Sequence, residues 1–367
     1  MNALLSIFAE VEDPRDFNAR HDLAAVLFIS VAASLCGARS CVDIADFAAA
    51  NAADLAEMVD LPHGPPSHDC FSRLFRLLDP QQLETALRRF AQTMRDGLGL
   101  GPPQGVVALD GKRVRRGYER GRASIPPLLV GVWDAETRLS LAASGRADGN
   151  EVAAALAALK MLSLKGCIVT ADALHCHPAM ATGIRAQGGD YLLKLKANHG
   201  PLFRAAQQAF AAADTAGRLP SHTVEDDDHG RIERRVGSVI AAPTGAPAFP
   251  DLAAFGRVIA ERQGGDGKTA RKVHYAVLSR RLSATHMMTA NRQHWGIENS
   301  MHWQLDVAFR EDDARSRKNN APQNLSVIRR LALDILRAHP DNRSIARKMK
   351  MATWSKPFFL ELFTHMR

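Results

Sequence analysis

The sequence predicts an α/β protein, with a β-rich insertion in its α/β domain and an all-helical N-terminal domain ahead of it. Three observations predict this. Up to about residue 97 the apolar residues recur at helical spacing. From Val106 the order becomes strand, strand, strand, helix, strand, helix, strand, helix, and its later alternation requires parallel strands with helical crossovers. Between Pro220 and about Ser279, short β-like runs alternate with Pro- and Gly-rich turns before long helices return.

The elements follow in order. Leu23–Cys36 is an apolar helix, too short for a bilayer, which takes about 20 residues. Val42–Val59 mixes apolar and acidic residues at helical spacing, and LPHGPPSHDC then breaks the chain. Ser67 is an N-cap for a helix over His68–Leu78, with Phe71, Leu74, Phe75 and Leu78 on one face. Pro80 opens a helix that runs to about Gly97, and GLGLGPPQG ends the helical part. Val106–Leu109 is a strand that stops at Asp110. Leu128–Trp133 and Leu139–Ala143 form a meander, followed by a helix over Asn150–Leu162. Cys167–Thr170 is a buried strand that stops at Asp172. A helix over Pro178–Gln187, a strand over Tyr191–Leu195 and a helix over Leu202–Ala213 complete the alternation. The insertion holds Arg235–Ala241, Gly256–Ala260 and Val273–Leu278, and long helices return at Ala284–Val307 and Asn324–Ala338. The expected domains are 1–97, helical; 98–340, α/β with the insertion at about 218–282; and 341–367, a basic tail.

A chain of 367 residues with 46% hydrophobic content can bury a sizeable core. Its net charge of +8 favours a polyanionic partner. The basic run from Arg310 to Lys350 reads as a solvated helix face and a basic tail. Cys36, Cys41, Cys70, Cys167 and Cys176 are scattered without a CxxC pair, which argues against a disulfide framework and a zinc ribbon and fits a reducing cytoplasm. The first residues lack a cationic region and meet acids early, so no signal peptide is read and no membrane partner is expected.

Two acids stand where α/β folds place ligands, at the carboxyl ends of strands: Asp110 ends VVALD and Asp172 ends IVTAD. Glu298 lies in HWGIEN on a helix. Converging carboxylates repel one another, and a divalent cation relieves that repulsion. Oxygen ligands favour magnesium or manganese, and two such ions suit phosphodiester displacement. Spacing alone does not select Glu298 from Asp306, Glu311, Asp312 and Asp313.

The segments DPRDFNARHDL, LCGARSCVDIADFA, PPSHDCFSRLFRLLDP, ALDGKRVR, LKGCIVTADALHC, GGDYLLKLKANHG, HGRIERR, HWGIENSMHWQLDVAFREDDARSRKNNAPQNLSVIRRLALDILR and SIARKMKMATW span nearly the whole chain. In them the chain resembles transposases of the ISAs1 family of insertion sequences, including the H-repeat-associated proteins, within the IS4-like DDE group. The resemblance implies an RNase H-like catalytic core. It assigns the catalytic and metal-binding carboxylates to Asp110, Asp172 and Glu298. It implies double-stranded DNA as partner, a homodimer on DNA, and a bacterial, nucleoid-associated location. The chain departs from the group's Tyr-Arg-Glu-Lys signature: His294 stands where Arg is expected and Leu305 where Lys is, with Arg292 a partial substitute.

Lys112, Arg113, Arg115 and Arg116 follow Asp110, and Lys194 and Lys196 end a strand expected nearby, so these cations read as phosphate contacts. Arg231, Arg234 and Arg235 in HGRIERR do the same from the insertion. His294 reads as a contact to a phosphate or the scissile region, whereas Trp295 and Trp303 read as core. The Ser67–Leu78 helix reads equally as part of a helix-turn-helix or as plain packing. A metal-dependent nuclease of the same fold, and an inactive or domesticated DNA-binding protein, remain the competing functions.

Overall fold

A computed structural model describes residues 1–118, 126–146, 148–217, 219–228, 231–263 and 269–364. Its helices are α1 (Asn2–Ala9), α2 (Leu23–Leu35), α3 (Cys41–Ala50), α4 (Ala52–Ala56), α5 (His68–Leu77), α6 (Pro80–Gly97), α7 (Glu151–Lys160), α8 (Pro178–Ala186), α9 (Gly200–Thr215), α10 (Ala284–Gly296), α11 (Trp303–Val307), α12 (Ala321–Ala338), α13 (Ile345–Trp354) and α14 (Lys356–Thr364). Its strands are β1 (Gly105–Arg113), β2 (Leu128–Asp134), β3 (Ser140–Arg146), β4 (Cys167–Ala171), β5 (Asp190–Leu195), β6 (Ser221–Asp228), β7 (Arg231–Ala241), β8 (Ala254–Gln263) and β9 (Thr269–Leu278). The chain forms two compact units. One comprises Met1–Pro102, Gly111–Met161 and Glu298–Arg367; the other comprises Pro103–Asp110 and Leu162–Ile297.

The first unit is organised around α12, which is buried along most of its length and packs against α2, α5 and α6. Helix α2 is buried throughout, and its two serines satisfy their hydroxyls on their own helix, Ser30 on the Val26 carbonyl at 2.8 Å and Ser34 on the Ser30 carbonyl at 2.7 Å. Side chains fix where the helices begin: Asp22 caps α2, Ser40 and Asp43 form a capping box on α3, and Asn150 caps α7. Strands β2 and β3 pair antiparallel from Leu128↔Arg146 to Trp133↔Ser140, and α6 and α7 pack on β3.

This core buries charge as well as hydrocarbon. The Arg95 guanidinium pairs with Asp134, both buried, and also donates to the Gly101 carbonyl at 2.8 Å. Glu84 accepts from the Gly145 amide at 2.8 Å, and burial pushes its carboxyl up to about 7. Asp334 accepts from the Ser140 amide at 3.2 Å and its hydroxyl at 3.3 Å, and burial likewise pushes it up to about 7.

In the second unit the strand order is β1-β4-β5-β9-β8-β7-β6. β1, β4 and β5 are mutually parallel neighbours, whereas β9, β8, β7 and β6 follow antiparallel. Helices α9 and α10 cover opposite faces. Phe203 and Phe210 of α9 pack on Tyr275, whereas Met287 and Met288 of α10 lie over Gly237, where a Cβ would crowd them, and Met287 also lies over Gly256. The β-rich insertion is thus the antiparallel continuation of the sheet.

Several expectations are corrected. The Val42–Val59 helix is split at Asn51, whose side-chain amide donates to the Phe47 carbonyl at 2.8 Å and so competes for the backbone at the break. β1 does not stop at Asp110 but continues to Arg113. The residues beyond 340 are not a tail, because α13 and α14 fold onto the first unit and Lys348 is buried, donating to the Leu336 and His339 carbonyls at 2.7 and 2.9 Å, at the end of α12. The basic run is not simply a solvated face, since Arg329 and Arg330 are buried near Glu311. The long helix over 284–307 is interrupted by a π-helical segment at Ile297–His302. The helices before residue 97 share a unit with α12 and β3 rather than standing alone.

Replacing Arg95 by Met will leave the Asp134 charge buried without its partner. Denaturant unfolding should show a loss of about 3–5 kcal/mol. The raised carboxyl of Asp334 binds its proton more tightly folded than unfolded. Its contribution is therefore present below the ordinary carboxylate range and is lost as pH rises from about 4 through about 7. The stability difference between the wild-type chain and Asp334→Asn should change in that window, the wild type losing ground as pH increases.

Candidate active site

The site is set by strand register. β1 and β4 run parallel with Ala108 opposite Thr170 and Leu109 opposite Ala171. β4 and β5 run parallel with Thr170 opposite Leu192 and Ala171 opposite Leu193. One step further along, the same row holds Asp110, Asp172 and Lys194. Strands lie about 4.8 Å apart, so the two acids and the lysine are neighbours at the carboxyl edge of the parallel trio.

The Lys194 ammonium lies 2.7 Å from Asp172 Oδ1. It also sits 4.6 Å from the centre of the Trp295 ring. His294, in the last turn of α10, places Nε2 3.5 Å from the same Oδ1, and its Nδ1 lies 3.1 Å from the Thr170 hydroxyl. At that separation the His294–Asp172 contact is electrostatic rather than a good hydrogen bond. The His294 ring and then Lys194 hold the Asp172 carboxyl well below the usual carboxylate range, although burial pulls the other way. Asp172 is thus kept anionic and ready to ligate.

Further cations border this edge. Lys196 is exposed one step beyond β5, in line with His274 of β9. Partial burial, and then the ammonium groups of Lys194, Lys272 and Lys196, push His274 below its ordinary value. Lys272 and His274 were not legible as site residues, although RKVH in a β-pattern two residues apart was the available signal.

The other sequence-predicted residues fall in several places. Glu298 is half-buried in the π-helical segment and belongs to the first unit. Among the described residues, no group of three or more His, Cys, Asp or Glu is gathered closely enough to hold a metal ion. What the second unit supplies is the Asp110–Asp172 pair, an all-oxygen donor set suited to a hard divalent cation. Lys112 is only 8% exposed, with its ammonium 2.6 Å from Asp306 and 3.4 Å from Asp312, so it does not fit the phosphate-facing rim expected of it. Arg113 and Arg115 are exposed, Arg115 pairing with Asp312 at 3.1 Å. Arg292 is exposed and pairs with Asp226 at 2.6 Å. Arg234 pairs across strands with Glu225 and Glu261, and Arg235 pairs across to Asp226 and along its own strand to Glu233. Arg231 opens β7, and its side chain lies outside the described residues. His294 is 1% exposed, so the DNA contact expected of it does not fit its placement. Trp295 and Trp303, expected in the core, are 46% and 53% exposed.

A family model described as "Transposase DDE domain" matches residues 101–335, and one described as "DDE_Tnp_1-associated" matches residues 5–91. The chain belongs to the DDE transposases. Relatives of this transposase include "Putative protein YbfL" of Escherichia coli (strain K12), 30% identical over 355 residues, covering 93% of this chain and 92% of that protein. "H repeat-associated putative transposase YhhI" of the same organism is 29% identical over 355 residues, again covering 93% and 92%. Among solved structures, a piggyBac transposase synaptic complex with hairpin DNA aligns over 99% of this chain and 78% of that one, with 11% identity and a TM-score of 0.45, too loose a likeness to build on. DDE transposases generally use divalent metal ions. Among the described residues of this one, no helix is long and apolar enough to cross a membrane.

Proposed function

We propose that this DDE transposase is of the ISAs1 type, and that it cuts the ends of an insertion sequence and joins them to target DNA through Asp110, Asp172 and Glu298. The observation that carries the reading is the register that sets Asp110 and Asp172 side by side on parallel strands, with a cation already drawn to the second. Two anions at that spacing repel, and the arrangement makes chemical sense as a cation site. The resemblance assigns the third carboxylate to Glu298.

Asp110 and Asp172, with Glu298, would hold magnesium or manganese. When bound, such ions lower the pKa of an attacking hydroxyl and stabilise the leaving oxygen in an in-line displacement. Cleavage breaks the bond between phosphorus and the 3′-oxygen as water adds to phosphorus. In joining, the freed 3′-hydroxyl attacks a target phosphate and expels the 3′-oxygen there. The protein's own part is positioning and charge. Lys194, Lys196 and Lys272 line the same edge, where they would neutralise the phosphodiester backbone, and the exposed Arg113, Arg115 and Arg292 would supply further phosphate contacts. Two element ends must be brought together, so the working form on DNA is a homodimer.

Asp110→Asn, Asp172→Asn and Glu298→Gln should each abolish magnesium-dependent nicking of an element end while DNA affinity in EDTA stays close to wild type. Persistent nicking in any one removes that residue from the catalytic set. A pre-cleaved end should be joined to a plasmid by the wild-type protein, and cutting without joining would favour a nuclease of the same fold. Binding should weaken steeply with salt, each phosphate contact adding about 0.9 to the log–log slope, so Lys196→Ala should lower that slope by roughly one. An unchanged slope would remove Lys196 from the contact.

A further inference from the structure

We propose that His294 is a positioning residue for Asp172, held in place by Thr170, and that its task is to aim one carboxylate oxygen at the cation rather than to touch DNA. The inference rests on Asp172 being a metal ligand.

The geometry is local to β4 and α10. Thr170 and Asp172 are two residues apart in the chain, so their side chains leave the backbone on the same side. His294 faces both: its Nδ1 is 3.1 Å from Thr170 Oγ1 and its Nε2 is 3.5 Å from Asp172 Oδ1. The ring and the threonine are each 1% exposed, which keeps the imidazole away from any ligand in solvent. A neutral imidazole can accept from Thr170 and turn an N–H toward Asp172 in one tautomer only, although Nε2 at 3.5 Å makes no hydrogen bond there. The Thr170 hydroxyl donates to Nδ1, and the proton on Nε2 faces the carboxylate. The opposite tautomer would point a lone pair at an anion. A charged ring presents the same Nε2–H. Thr170 therefore fixes which nitrogen carries the proton toward Asp172, as the outer partners of metal ligands do elsewhere.

Lys194 adds to the same bias. Both it and His294 approach Oδ1, at 2.7 and 3.5 Å. With Oδ1 hydrogen-bonded to Lys194 and faced electrostatically by His294 Nε2, the carboxylate is oriented and Oδ2 is the oxygen that would meet the cation. The Arg expected at position 294 from the IS4-like signature would bring a longer, planar cation in place of a compact ring. The buried site next to a threonine explains why a histidine fits here.

The test uses the full-length protein and manganese as the probe, with free Mn2+ counted by electron paramagnetic resonance. His294→Leu and Thr170→Val should each weaken Mn2+ binding by about tenfold or more, the range seen when an outer partner of a metal ligand is lost. His294→Gln, whose amide N–H reaches the place of Nε2–H, should recover most of that loss. DNA affinity measured in EDTA should be unchanged in all three. Thermal melts check that the variants fold, and the comparison of Gln with Leu separates aiming from packing. Wild-type Mn2+ affinity in His294→Leu overturns the proposal. So does a Gln variant as weak as Leu, or a loss of DNA affinity with Mn2+ binding intact. Asp172→Asn discriminates the failure modes. If it binds Mn2+ as well as wild type, the ligand assignment itself falls and the positioning role with it. If it loses Mn2+ while His294→Leu keeps it, only the positioning role falls.

Discussion

Everything at the candidate site depends on one constraint, the register of three parallel strands. Backbone hydrogen bonds between β1, β4 and β5 decide that Asp110, Asp172 and Lys194 share a row. A slip of one residue in either pairing would turn the side chains to the other face and separate the two acids. The register is held by burial, because Val107, Leu109, Val169, Ala171, Leu193 and Leu195 are all in the core. Apolar residues that never meet substrate therefore set the spacing between two carboxylates, and the electrostatic cost of that spacing is what calls for a cation.

Lys194 and His294 offset part of that cost at Asp172. Their roles are distinct. Lys194 is a flexible ammonium on a long stem, resting on Trp295. His294 is short, buried and tied to Thr170. One is suited to changing partners and the other to holding still. The first unit shows a parallel theme, since Lys112 is enclosed by Asp306, Asp312 and Glu311 only two residues after Asp110. There a cation that looked available for DNA in the sequence is engaged internally.

Much of this is legible in the sequence. The acids announced themselves because each follows a buried apolar run, although β1 continues past Asp110 to Arg113. The strands of the parallel trio followed from periodicity and Pro80 marked the first residue of α6, whereas Ser67, read as a cap, stands at the N-cap of α5 without a side-chain cap hydrogen bond. What failed did so for tertiary reasons. Lys112, Arg329, Arg330 and Lys348 read as surface because basic residues usually are, and only the fold supplies the acids and carbonyls that let them be buried. Trp295 and Trp303 read as core because large aromatics usually are, yet they stand exposed. The Thr170–His294 contact joins residues 124 positions apart, and no pattern within a strand or a helix encodes such a pairing.

The make-up of the first unit has a consequence for how the chain is made. Arg329 of α12 donates to the Arg39 carbonyl, 290 residues earlier, and α2 and α6 lean on the same helix. The faces of the early helices that rest on α12 therefore stay uncovered until nearly the whole message has been read, although these helices can already pack on one another. The other unit draws all but a short strand from a single continuous stretch, Leu162–Ile297, and can close first. Nascent helices with so long a wait are natural clients for chaperones, and a pause in translation before α12 would prolong that exposure.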